Sequence, residues 1–440
     1  MGEIVNKWIS SVLLSIFIPS PFVAAQPIIQ QKIALCENAR KYVLVGKDDT
    51  LFLRASLEGN RVFPIYTDSA DLLDRFSKEF DKSGLKLIIA LLPSEVILNE
   101  SKFDFSGIDK EVYSKEVFIN HYTDALKFIR SANINVVDVL SYIYKNKYID
   151  KANLMAKRED HFSESAGKIF AMAISLNIKA LAQFNVIPQV KFKTIISPPI
   201  KVESGLVNYV KLLCPGIVVP DEYSAYSFTE QVDADLLDDT QPSIIYVGTS
   251  YSSETDESGR RANIVGHLRE ILGADIYNNS IPGGGPYGSI TQYLLSDEHK
   301  SLPGKILIWE LSDKHVNALT NSQEMRQLLP TVNSGCINKA NLLSIASIAA
   351  KSITDTLNYS NPQKNSYIHI KFLTTGIVKT DIRLEYSDGS SEYSTLEHVT
   401  QRLTPQDYFY DLQPGKTLKS LTYTTDTLSA STLEICNYGP

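Results

Sequence analysis

The sequence has little tryptophan and no excess of basic charge. Only 2 of its 440 residues are Trp, whereas Tyr occurs 23 times and Phe 17 times. Lys and Arg number 43 against 50 Asp and Glu, giving a formal net charge of −7. This balance lacks the basic footprint of a nucleic-acid-binding protein. With 43% hydrophobic and 21% charged residues, the chain has the composition of an ordinary folded protein, and its length predicts two or three domains.

No apolar run after residue 25 is long enough to span a bilayer. The first 25 residues have the order of an export signal: Lys7, the apolar run Trp8–Ile18, and the small residues Val23–Ala25 before Gln26. We therefore predict a signal peptide at residues 1–25 and an exported, periplasmic chain. An uncleaved N-terminal anchor is the alternative, and the shortness of the apolar run disfavours it.

The chain holds four cysteines and no CxxC or Cys/His cluster, so we do not expect a zinc site. Export into an oxidising compartment favours disulfides, and four cysteines allow three connectivities. Cys36 and Cys214 lie in the first half, whereas Cys336 and Cys436 bracket the last quarter. Pairing within each part would close one long loop per module and contribute about 4–5 kcal/mol each in the chain-entropy model. We predict Cys36–Cys214 and Cys336–Cys436.

Short apolar runs alternate with helix-like stretches from about residue 40 to residue 320. The predicted strands are Tyr42–Val45, Leu85–Leu92, Ile134–Val139, Ser243–Val247 and Lys305–Leu311. The predicted helices are Ser114–Ser131, Ser163–Phe184, with Ser163 as N-cap, and Arg261–Leu272. The apolar runs are typical of strands buried on both faces. This alternation predicts an α/β domain with a mainly parallel sheet, which we place at residues 26–330.

The pattern becomes all-β after about residue 365. The predicted strands are Tyr367–Phe372, Ile377–Tyr386, Tyr393–Val399, Leu418–Thr425 and Thr432–Cys436. Ser387–Ser390 and Pro414–Gly415 carry turn signals. We predict a small β-sandwich within residues 331–440, with residues 313–364 mainly connecting the two parts.

The segment Ser243–Ser253 carries the strongest local signal for chemistry. An apolar strand ends at Gly248-Thr249-Ser250, which places a hydroxyl where α/β enzymes hold a nucleophile beside backbone N–H groups. The segment lacks the GxSxG elbow of α/β-hydrolases. A serine-rich surface loop is the alternative interpretation of Ser250.

His161 is the best candidate base among the seven histidines. Glu159 and Asp160 precede it, and in an extended segment Glu159 would share its face while Asp160 would point away. A carboxylate beside an imidazole fixes its tautomer and stabilises the imidazolium. A charged surface loop remains an equal alternative. His121 and His267 fall in helix-like stretches and are expected to be structural or exposed. Four further histidines receive no role: His299, His315, His369 and His398.

Three consecutive glycines, Gly283, Gly284 and Gly285, follow a strand-like segment at Asp275–Ser280. They leave backbone amides unshielded, which suits an oxyanion site or close approach of a substrate. A flexible loop is the alternative. No GK[ST] follows, so a phosphate-binding P-loop is not expected.

In their order and spacing these segments resemble the SGNH-hydrolase-like O-acetyltransferases of bacterial exopolysaccharide export, the AlgX and AlgJ type. The matching segments are Asp48–Leu53, the acid-x-His element at Glu159–His161, the GTSYS serine at Ser250, the GGGP run at Gly283–Pro286 and the strand ending at Trp309-Glu310. The resemblance covers nearly the whole mature chain, and a C-terminal β-module favours the AlgX-like type, whose extra domain is a carbohydrate-binding module. Two intradomain disulfides, as in that family, agree with the pairing above.

The resemblance implies a nucleophile at Ser250, a base at His161 and an orienting acid at Glu159. It implies acetyl transfer through an acetyl-serine to a polysaccharide hydroxyl, with backbone amides near Ser250 and Gly283–Gly285 stabilising the oxyanion. It also implies partners, namely a membrane-associated acetyl-donor system and export-complex proteins, and no cofactor.

Two features depart from the family pattern. Asp usually precedes the histidine by two residues and Trp follows it, whereas this chain has Glu159 and Phe162. Glu is one methylene longer, so the loop must retreat slightly or Asp160 must take the orienting role. The C-terminal module also lacks tryptophan. Its sugar binding would rely on other side chains, for which we name three candidates: Lys371, Lys379 and Arg383.

Three functions fit these residues. The first is a periplasmic polysaccharide O-acetyltransferase acting on alginate or a similar exopolysaccharide. The second is a carbohydrate acetyl esterase with the same three residues, in which water accepts the acetyl group. The third is a non-catalytic polysaccharide-binding component of an export complex, which the Glu159 substitution weakly favours and the presence of Ser250 and His161 disfavours.

Overall fold

The computed structural model describes residues 33, 35–58, 63–66, 68–103, 114–149, 153–202, 204–232, 241–301, 304–333, 336, 338–341, 350–356, 365–372, 379–397, 407–429 and 431–438. The export signal predicted at residues 1–25 lies outside this part of the chain. Within the described residues, no helix combines the length and the hydropathy needed to cross a bilayer.

The first three quarters of the chain alternate between strands and helices. The strands are β1 Val43–Val45, β2 Leu51–Leu53, β3 Lys86–Leu92, β4 Asn135–Asp138, β5 Phe192–Ile196, β6 Ile200–Val202, β7 Glu222–Ser224, β8 Ser227–Gln231, β9 Ile244–Val247, β10 Ile276–Asn278 and β11 Ile306–Ser312. The helices are α1 Glu37–Arg40, α2 Ala55–Glu58, α3 Ser69–Ser83, α4 Glu95–Leu98, α5 Lys115–Ser131, α6 Val139–Lys145, α7 Glu164–Lys179, α8 Gly205–Leu213, α9 Glu257–Ala262, α10 Ile264–Leu272, α11 Gly288–Leu295, α12 Asp297–Ser301 and α13 Ser322–Leu328. Short 3₁₀ helices cover Lys47–Asp49, Glu100–Lys102, Ala182–Val186, Val316–Thr320 and Leu329–Asn333.

A five-stranded sheet with the order β10-β9-β11-β3-β4 forms the centre of this part. Every neighbouring pair is parallel, so the carboxyl ends of all five strands meet at one edge. Alternate residues of β3 enter different cores: Leu87 and Ile89 face one cluster, whereas Ile88 and Ala90 face the other. Helices α3, α5 and α11 contribute to the first cluster, and α7 and α10 to the second. The sheet is therefore covered on both faces, which explains the continuously apolar strands.

The prediction of a mainly parallel α/β sheet is confirmed, with two corrections. Tyr42–Val45 was expected among its strands, but β1 instead pairs antiparallel with β2. Gly46 and a 3₁₀ turn, in which Asp48 and Asp49 have positive φ, return the chain at once and make this pairing local. The helix predicted at Arg261–Leu272 is interrupted at Asn263, which adopts a left-handed conformation (φ 47°, ψ 40°) and separates α9 from α10.

The C-terminal strands form two four-stranded antiparallel sheets. These strands are β12 Asn338–Asn341, β13 Ala350–Thr356, β14 Ser366–Phe372, β15 Lys379–Tyr386, β16 Ser391–Glu397, β17 Asp407–Asp411, β18 Leu418–Ser429 and β19 Ser431–Asn437. The sheet orders are β12-β19-β14-β17 and β13-β18-β15-β16. Ile368 and Ile370 of the first sheet share a core with Leu384 and Leu421 of the second, so the two sheets pack face to face as a sandwich.

The sandwich begins earlier in the chain than the sequence indicated. Residues 313–364 were expected mainly to connect the two parts, but β12 pairs with β19 and β13 with β18. Strand β17 was not predicted. The turn predicted at Ser387–Ser390 does join β15 to β16, with Gly389 at φ 84°. The boundary at residue 330 falls within a 3₁₀ helix and stays a prediction.

Two disulfides are present, Cys36–Cys214 and Cys336–Cys436, the pairs anticipated from the sequence. The first ties α1 to the end of α8. The second lies beside Tyr367 and Phe409 on the outer face of one sandwich sheet, and these residues share a core cluster with Trp309 of the central sheet. The sandwich is thus packed directly on the α/β part.

Candidate active site

Ser250 lies where strand β9 ends, at the carboxyl edge of the central sheet. The preceding Thr249 is fixed by Glu310 of the adjacent strand β11, because its backbone N–H and its hydroxyl both donate to Oε1 of that carboxylate, at 3.1 and 2.8 Å. Tyr246 and Ser252 donate to the other oxygen of Glu310. A buried carboxylate that accepts several hydrogen bonds holds the serine loop in one conformation.

Two glycines permit this loop to pack closely. A Cβ on Gly248 would lie 2.9 Å from Ser280 Oγ and 3.0 Å from Glu310 Oε2. A Cβ on Gly259 of helix α9 would lie only 2.6 Å from the carbonyl oxygen of Ser250. Glycine is therefore required where α9 crosses the backbone of the serine loop.

His161 is held in a short hairpin between α6 and α7. Met155 and Phe162 form an antiparallel bridge, and the N–H of Ala156 donates to the His161 carbonyl at 3.2 Å. Ser163 then caps α7, because its hydroxyl accepts the N–H of Ala166 at 3.2 Å, as predicted. These contacts fix the direction of the imidazole toward the edge of the sheet where β9 ends.

The structure brings Ser250, His161 and Glu159 together in that order. The distance between Ser250 Oγ and His161 Nε2 is 2.8 Å, and that between His161 Nδ1 and Glu159 Oε1 is 3.0 Å. With the Nδ1 hydrogen directed at the carboxylate, Nε2 of the neutral imidazole accepts a hydrogen bond from the serine hydroxyl. A hydroxyl, an imidazole and a carboxylate are therefore linked in one hydrogen-bonded chain.

The longer side chain of Glu159 is accommodated by the start of helix α8. Its Oε2 accepts the backbone N–H of Gly205 at 2.6 Å, and its Oε1 accepts the N–H of Asp160 at 3.2 Å. The Glu159 side chain is only 4% exposed. These backbone donors hold the carboxylate in position and compensate its burial.

Asp160 does not point away from His161, contrary to the extended-chain expectation. Residues 157–161 turn and bend rather than extend, so Asp160 Oδ1 also lies 3.0 Å from His161 Nδ1. Its Oδ2 lies 3.5 Å from the ammonium of Lys314. Both carboxylates weighed from the sequence, those of Glu159 and Asp160, lie 3.0 Å from His161 Nδ1, and the choice of orienting acid stays a prediction.

The two carboxylates change the acid–base properties of the imidazole. Burial would lower the pKa of His161, but the hydrogen bonds and charges of Asp160 and Glu159 outweigh it and raise that pKa to about 9. Burial would raise the pKa of Asp160, but its contacts with His161 and Lys314 hold it well below the usual range. The imidazolium is therefore the favoured form of His161 at neutral pH.

The glycine-rich run lies directly beside the serine loop. The N–H of Ile281 donates to the Gly248 carbonyl at 3.0 Å, which joins the run to the end of β9. Gly283 and Gly285 have φ of 72° and 60°, a conformation that favours glycine. The N–H of Gly284 donates to the Ile281 carbonyl at 3.1 Å, so this amide is already used within the turn.

The three basic residues predicted to bind carbohydrate do not lie on one surface. Lys379 and Arg383 are on β15 of one sandwich sheet, with exposed side chains on its outer face. Lys371 is on β14 of the other sheet, on the face that packs toward the α/β part, where its ammonium lies 3.8 Å from Asp407. Strand pairing, which the sequence did not reveal, separates them.

The sequence interpretation missed Lys314 and Tyr251. The ammonium of Lys314 lies 5.1 Å from the centre of the Tyr251 ring, and that ring meets the His161 imidazole edge-on at 5.1 Å between centroids. Lys314 follows β11 just as Ser250 follows β9, and these strands are neighbours in the sheet. A polar residue after an apolar strand was the available signal.

The remaining histidines near this edge are unsuited to act as the base. His315, close to Lys314, has its pKa lowered to about 4 by burial and by the ammonium charge. His121 is buried and contacts Asn317 at 2.9 Å, while His267 contacts Glu164 at 3.2 Å. The latter two agree with the structural roles expected from the sequence.

Glu159, Asp160 and His161 also place three possible ligand atoms within 4.8 Å of one another. The partners described above already occupy these atoms: Gly205 and His161 for Glu159, Lys314 for Asp160, and Ser250 for the free imidazole nitrogen. The ammonium beside Asp160 opposes a cation at this position. The arrangement suits proton transfer rather than metal binding.

A hydroxyl, an imidazole and a carboxylate joined in this order at the edge of a parallel sheet are typical of serine hydrolases and serine acyltransferases. The sequence model of the family described as SGNH hydrolase-like domain, acetyltransferase AlgX, matches residues 43–313. The chain belongs to this family.

Individual relatives agree with this assignment. The alginate biosynthesis protein AlgX of Pseudomonas fluorescens is 27% identical over 345 residues, which cover 76% of this chain and 69% of that protein. The probable alginate O-acetylase AlgJ of Pseudomonas aeruginosa is 24% identical over 296 residues, which cover 64% of this chain and 72% of that protein. The solved structure of Pseudomonas aeruginosa AlgX superposes with a TM-score of 0.73 at 21% identity, covering 92% of this chain and 100% of that one. This last likeness establishes a shared fold.

Proposed function

We propose that this protein is a periplasmic O-acetyltransferase that moves an acetyl group through Ser250 onto hydroxyls of an exported polysaccharide. The observation that carries the proposal is the hydrogen-bonded chain from Ser250 through His161 to Glu159, at 2.8 and 3.0 Å, in a member of an acetyltransferase family. The names of the relatives, which refer to alginate, support alginate or a similar exopolysaccharide as the acceptor.

In the first half-reaction Ser250 Oγ attacks the carbonyl carbon of an acetyl ester while neutral His161 takes the hydroxyl proton at Nε2. The tetrahedral oxyanion then collapses, the bond to the leaving oxygen breaks, and the imidazolium returns the proton to that oxygen. The product is an acetyl-serine. Glu159 keeps the Nδ1 hydrogen directed away from the serine and stabilises the transient imidazolium.

In the second half-reaction a sugar hydroxyl attacks the acetyl-serine and His161 takes its proton. Collapse of the second tetrahedral intermediate forms the sugar ester, and the proton returns to Ser250 Oγ. The negative charge that develops on the carbonyl oxygen requires nearby donors. We assign this role to the Ser250 amide and to the amides of Gly283 and Gly285, since the Gly284 amide is used within its turn.

The β-sandwich is proposed to bind the polymer as a carbohydrate-binding module. Arg383 and Tyr393 are register partners on adjacent strands, and Tyr393 is 67% exposed. An exposed ring beside a guanidinium offers a stacking surface and a cation for a uronic-acid sugar. Lys379 lies on the same outer face, whereas Lys371 does not.

The two disulfides support an oxidising compartment, in agreement with the export signal predicted at residues 1–25. Since acetyl-CoA is cytoplasmic, an exported enzyme requires a membrane-associated system that delivers the acetyl group. This donor system and the export-complex partners rest on the family resemblance.

The proposal is tested with purified protein, a chromogenic acetate ester as donor, and alginate oligosaccharides as acceptors. We expect ester cleavage that is lost in Ser250→Ala and His161→Ala, and acetylated oligosaccharide detected by mass spectrometry. Cleavage without sugar acetylation would instead identify a carbohydrate acetyl esterase. Failure of the folded, disulfide-intact protein to cleave the ester, together with retained polymer binding, would identify a non-catalytic binding component.

A further inference from the structure

A partly buried ion pair lies beside the imidazole of His161. Lys314, separated from the end of strand β11 by Asp313, places its ammonium 3.5 Å from Asp160 Oδ2. The other oxygen of Asp160 lies 3.0 Å from His161 Nδ1. Asp160 thus bridges an ammonium and an imidazole. The Asp160 side chain is 17% exposed and the Lys314 side chain 20% exposed. Water screens such a pair only weakly.

The geometry points to Lys314 as a positioning residue that holds Asp160 beside His161 and offsets part of its negative charge, so that the second carboxylate favours the imidazolium less than it would without the ammonium. This inference rests on the proposed function, in which His161 must be neutral to accept a proton from Ser250. It assigns roles to Lys314 and Asp160 in addition to the three residues of the hydrogen-bonded chain.

The charges around His161 Nδ1 support this role. Nδ1 carries one hydrogen, yet Glu159 Oε1 and Asp160 Oδ1 both lie 3.0 Å from it. Two adjacent buried carboxylates repel each other and together favour the imidazolium strongly. One ammonium beside the second carboxylate offsets part of its charge and so weakens its pull on the proton of the imidazole.

The aromatic ring of Tyr251 fixes the position of the ammonium. Lys314 Nζ lies 5.1 Å from the centre of this ring, within the range of a cation–π contact. The same ring packs edge-on against His161 and at 4.5 Å against Phe162. Tyr251 immediately follows Ser250, so the serine loop, the histidine hairpin and the end of β11 meet at one side chain.

Other ionisable groups around this cluster do not replace Lys314. Burial raises the pKa of Glu95 to about 8, with the charge of Asp160 adding to the effect and that of Lys314 opposing it. Burial also raises the pKa of Asp313 to about 7, and His315 is largely neutral because its pKa is lowered. Among the described ionisable groups around Asp160 and His161, Lys314 is the permanent cation beside Asp160; the others considered are Glu159, Glu95, Tyr251, Asp313 and His315.

The decisive variants are Lys314→Met, which removes the ammonium, and Asp160→Asn, which removes the second carboxylate at nearly constant shape. Removing a positive charge raises the proton affinity of the remaining cluster, whereas removing a negative charge lowers it. We expect the pKa of His161 to rise by about one unit in Lys314→Met and to fall in Asp160→Asn. Lys314→Arg keeps the charge and should remain close to the unchanged protein.

The first readout is NMR titration of the imidazole signals in protein labelled at histidine, with the His161 signal assigned by its loss in His161→Ala. This measurement does not depend on catalysis. Lys127→Met removes a surface lysine that pairs with Asp124 at 2.9 Å on α5 and serves as the matched control. Its His161 titration should overlay that of the unchanged protein.

The second readout is the pH profile of ester cleavage. In Lys314→Met we expect kcat at pH 7 to fall about tenfold, because one unit of pKa reduces the neutral imidazole tenfold, and to recover at alkaline pH. A merely structural defect would lower activity at every pH. The inference is overturned if the pKa of His161 in Lys314→Met is unchanged or lower, or, should that variant not fold, if Asp160→Asn leaves it unchanged. Absence of cleavage by the unchanged protein would count against the proposed function, while the NMR titration would still decide the role of Lys314.

Discussion

Arg75 and Asp411 form a two-pronged ion pair that joins helix α3 of the α/β part to strand β17 of the sandwich. Both contacts, Nη1 to Oδ2 and Nη2 to Oδ1, measure 2.7 Å, and the Asp411 side chain has no exposed surface. Tyr438 adds a third hydrogen bond to the same carboxylate at 2.8 Å. The proposed polymer-binding module is therefore attached to the proposed catalytic part by a buried charge pair.

Substituting Arg75 by Met is expected to destabilise the protein by about 3 kcal/mol, because Asp411 would be left buried without its cation. Burial already holds the pKa of Asp411 above its usual range, with Arg75 opposing it. Urea unfolding followed by circular dichroism measures the change. Arg130→Met removes a largely exposed arginine 3.7 Å from Asp138 and should change stability by less than about 0.5 kcal/mol. Equal effects of the two variants would contradict this account of the interface.

Replacing Glu159 by Gln should reduce kcat less than is usual for the acid of a serine–histidine–acid site, where such a change costs about 10⁴-fold. The reason is that Asp160 remains 3.0 Å from His161 Nδ1 and can still accept its hydrogen. Steady-state kinetics of Glu159→Gln, Asp160→Asn and the double variant check this. We expect kcat of the double variant to approach the full loss of about 10⁴-fold. If Glu159→Gln alone already does so, Asp160 does not share the role.

The activity of the unchanged protein should rise with pH up to about 9. His161 must lose its proton to act as a base, and its two acidic neighbours raise its pKa to about 9. The pH profile of kcat/KM for a soluble acetate ester reports this ionisation in the free enzyme. A profile that is already flat above pH 7 would show that the base titrates near its ordinary pKa.

Glu95→Gln is expected to stabilise the protein increasingly between pH 4.5 and pH 8. Burial raises the pKa of Glu95 from 4.5 to about 8 in the folded state, so its contribution to stability is complete below pH 4.5 and is lost as the pH rises to 8. Glutamine does not titrate and avoids this loss. The free energy of unfolding is measured for both proteins at pH 5 and at pH 8. The stability advantage of Glu95→Gln over the unchanged protein should be larger at pH 8 than at pH 5 by up to a few kcal/mol. The same difference at both pH values would argue against a buried, neutral Glu95.

Arg383→Ala and Tyr393→Ala should each weaken binding of the polymer about fivefold, since a stacking or cationic contact contributes about 1 kcal/mol. Lys371→Ala should have little effect, because Lys371 lies on the opposite sheet beside Asp407. Isothermal titration with alginate oligosaccharides distinguishes these variants. A larger loss in Lys371→Ala than in the other two would place the binding surface elsewhere.

The buried parallel strands could be predicted because both of their faces are covered, which makes the run itself apolar. Ser250 and His161 could be named as candidates for a related reason, since each lies in a recognisable local setting: a polar residue after an apolar strand, and an imidazole two residues after an acid. Their roles were implied by the family resemblance. In both cases the signal comes from a short stretch of consecutive residues.

What escaped prediction depends on contacts between distant segments. Lys314 meets Tyr251 because β11 lies next to β9 in the sheet, and it meets Asp160 because the hairpin between α6 and α7 reaches the same edge. Neither the strand order nor the position of the hairpin is encoded in a local run of residues. The orientation of Asp160 depends on a bend at residues 157–161, whereas alternation of side chains between two faces holds only in an extended chain. Lys371 and Arg383 are separated because β14 and β15 join different sheets.

The central claim, that Ser250 carries the acetyl group, is tested most directly by trapping the covalent intermediate. The protein is mixed briefly with an activated acetate ester, quenched in acid, and analysed by intact mass and peptide mapping. The account predicts a gain of one acetyl group on the peptide that contains Ser250, absent in Ser250→Ala and removed when sugar acceptor is added. An acetyl group located on another residue, or an equal gain in Ser250→Ala, would contradict it.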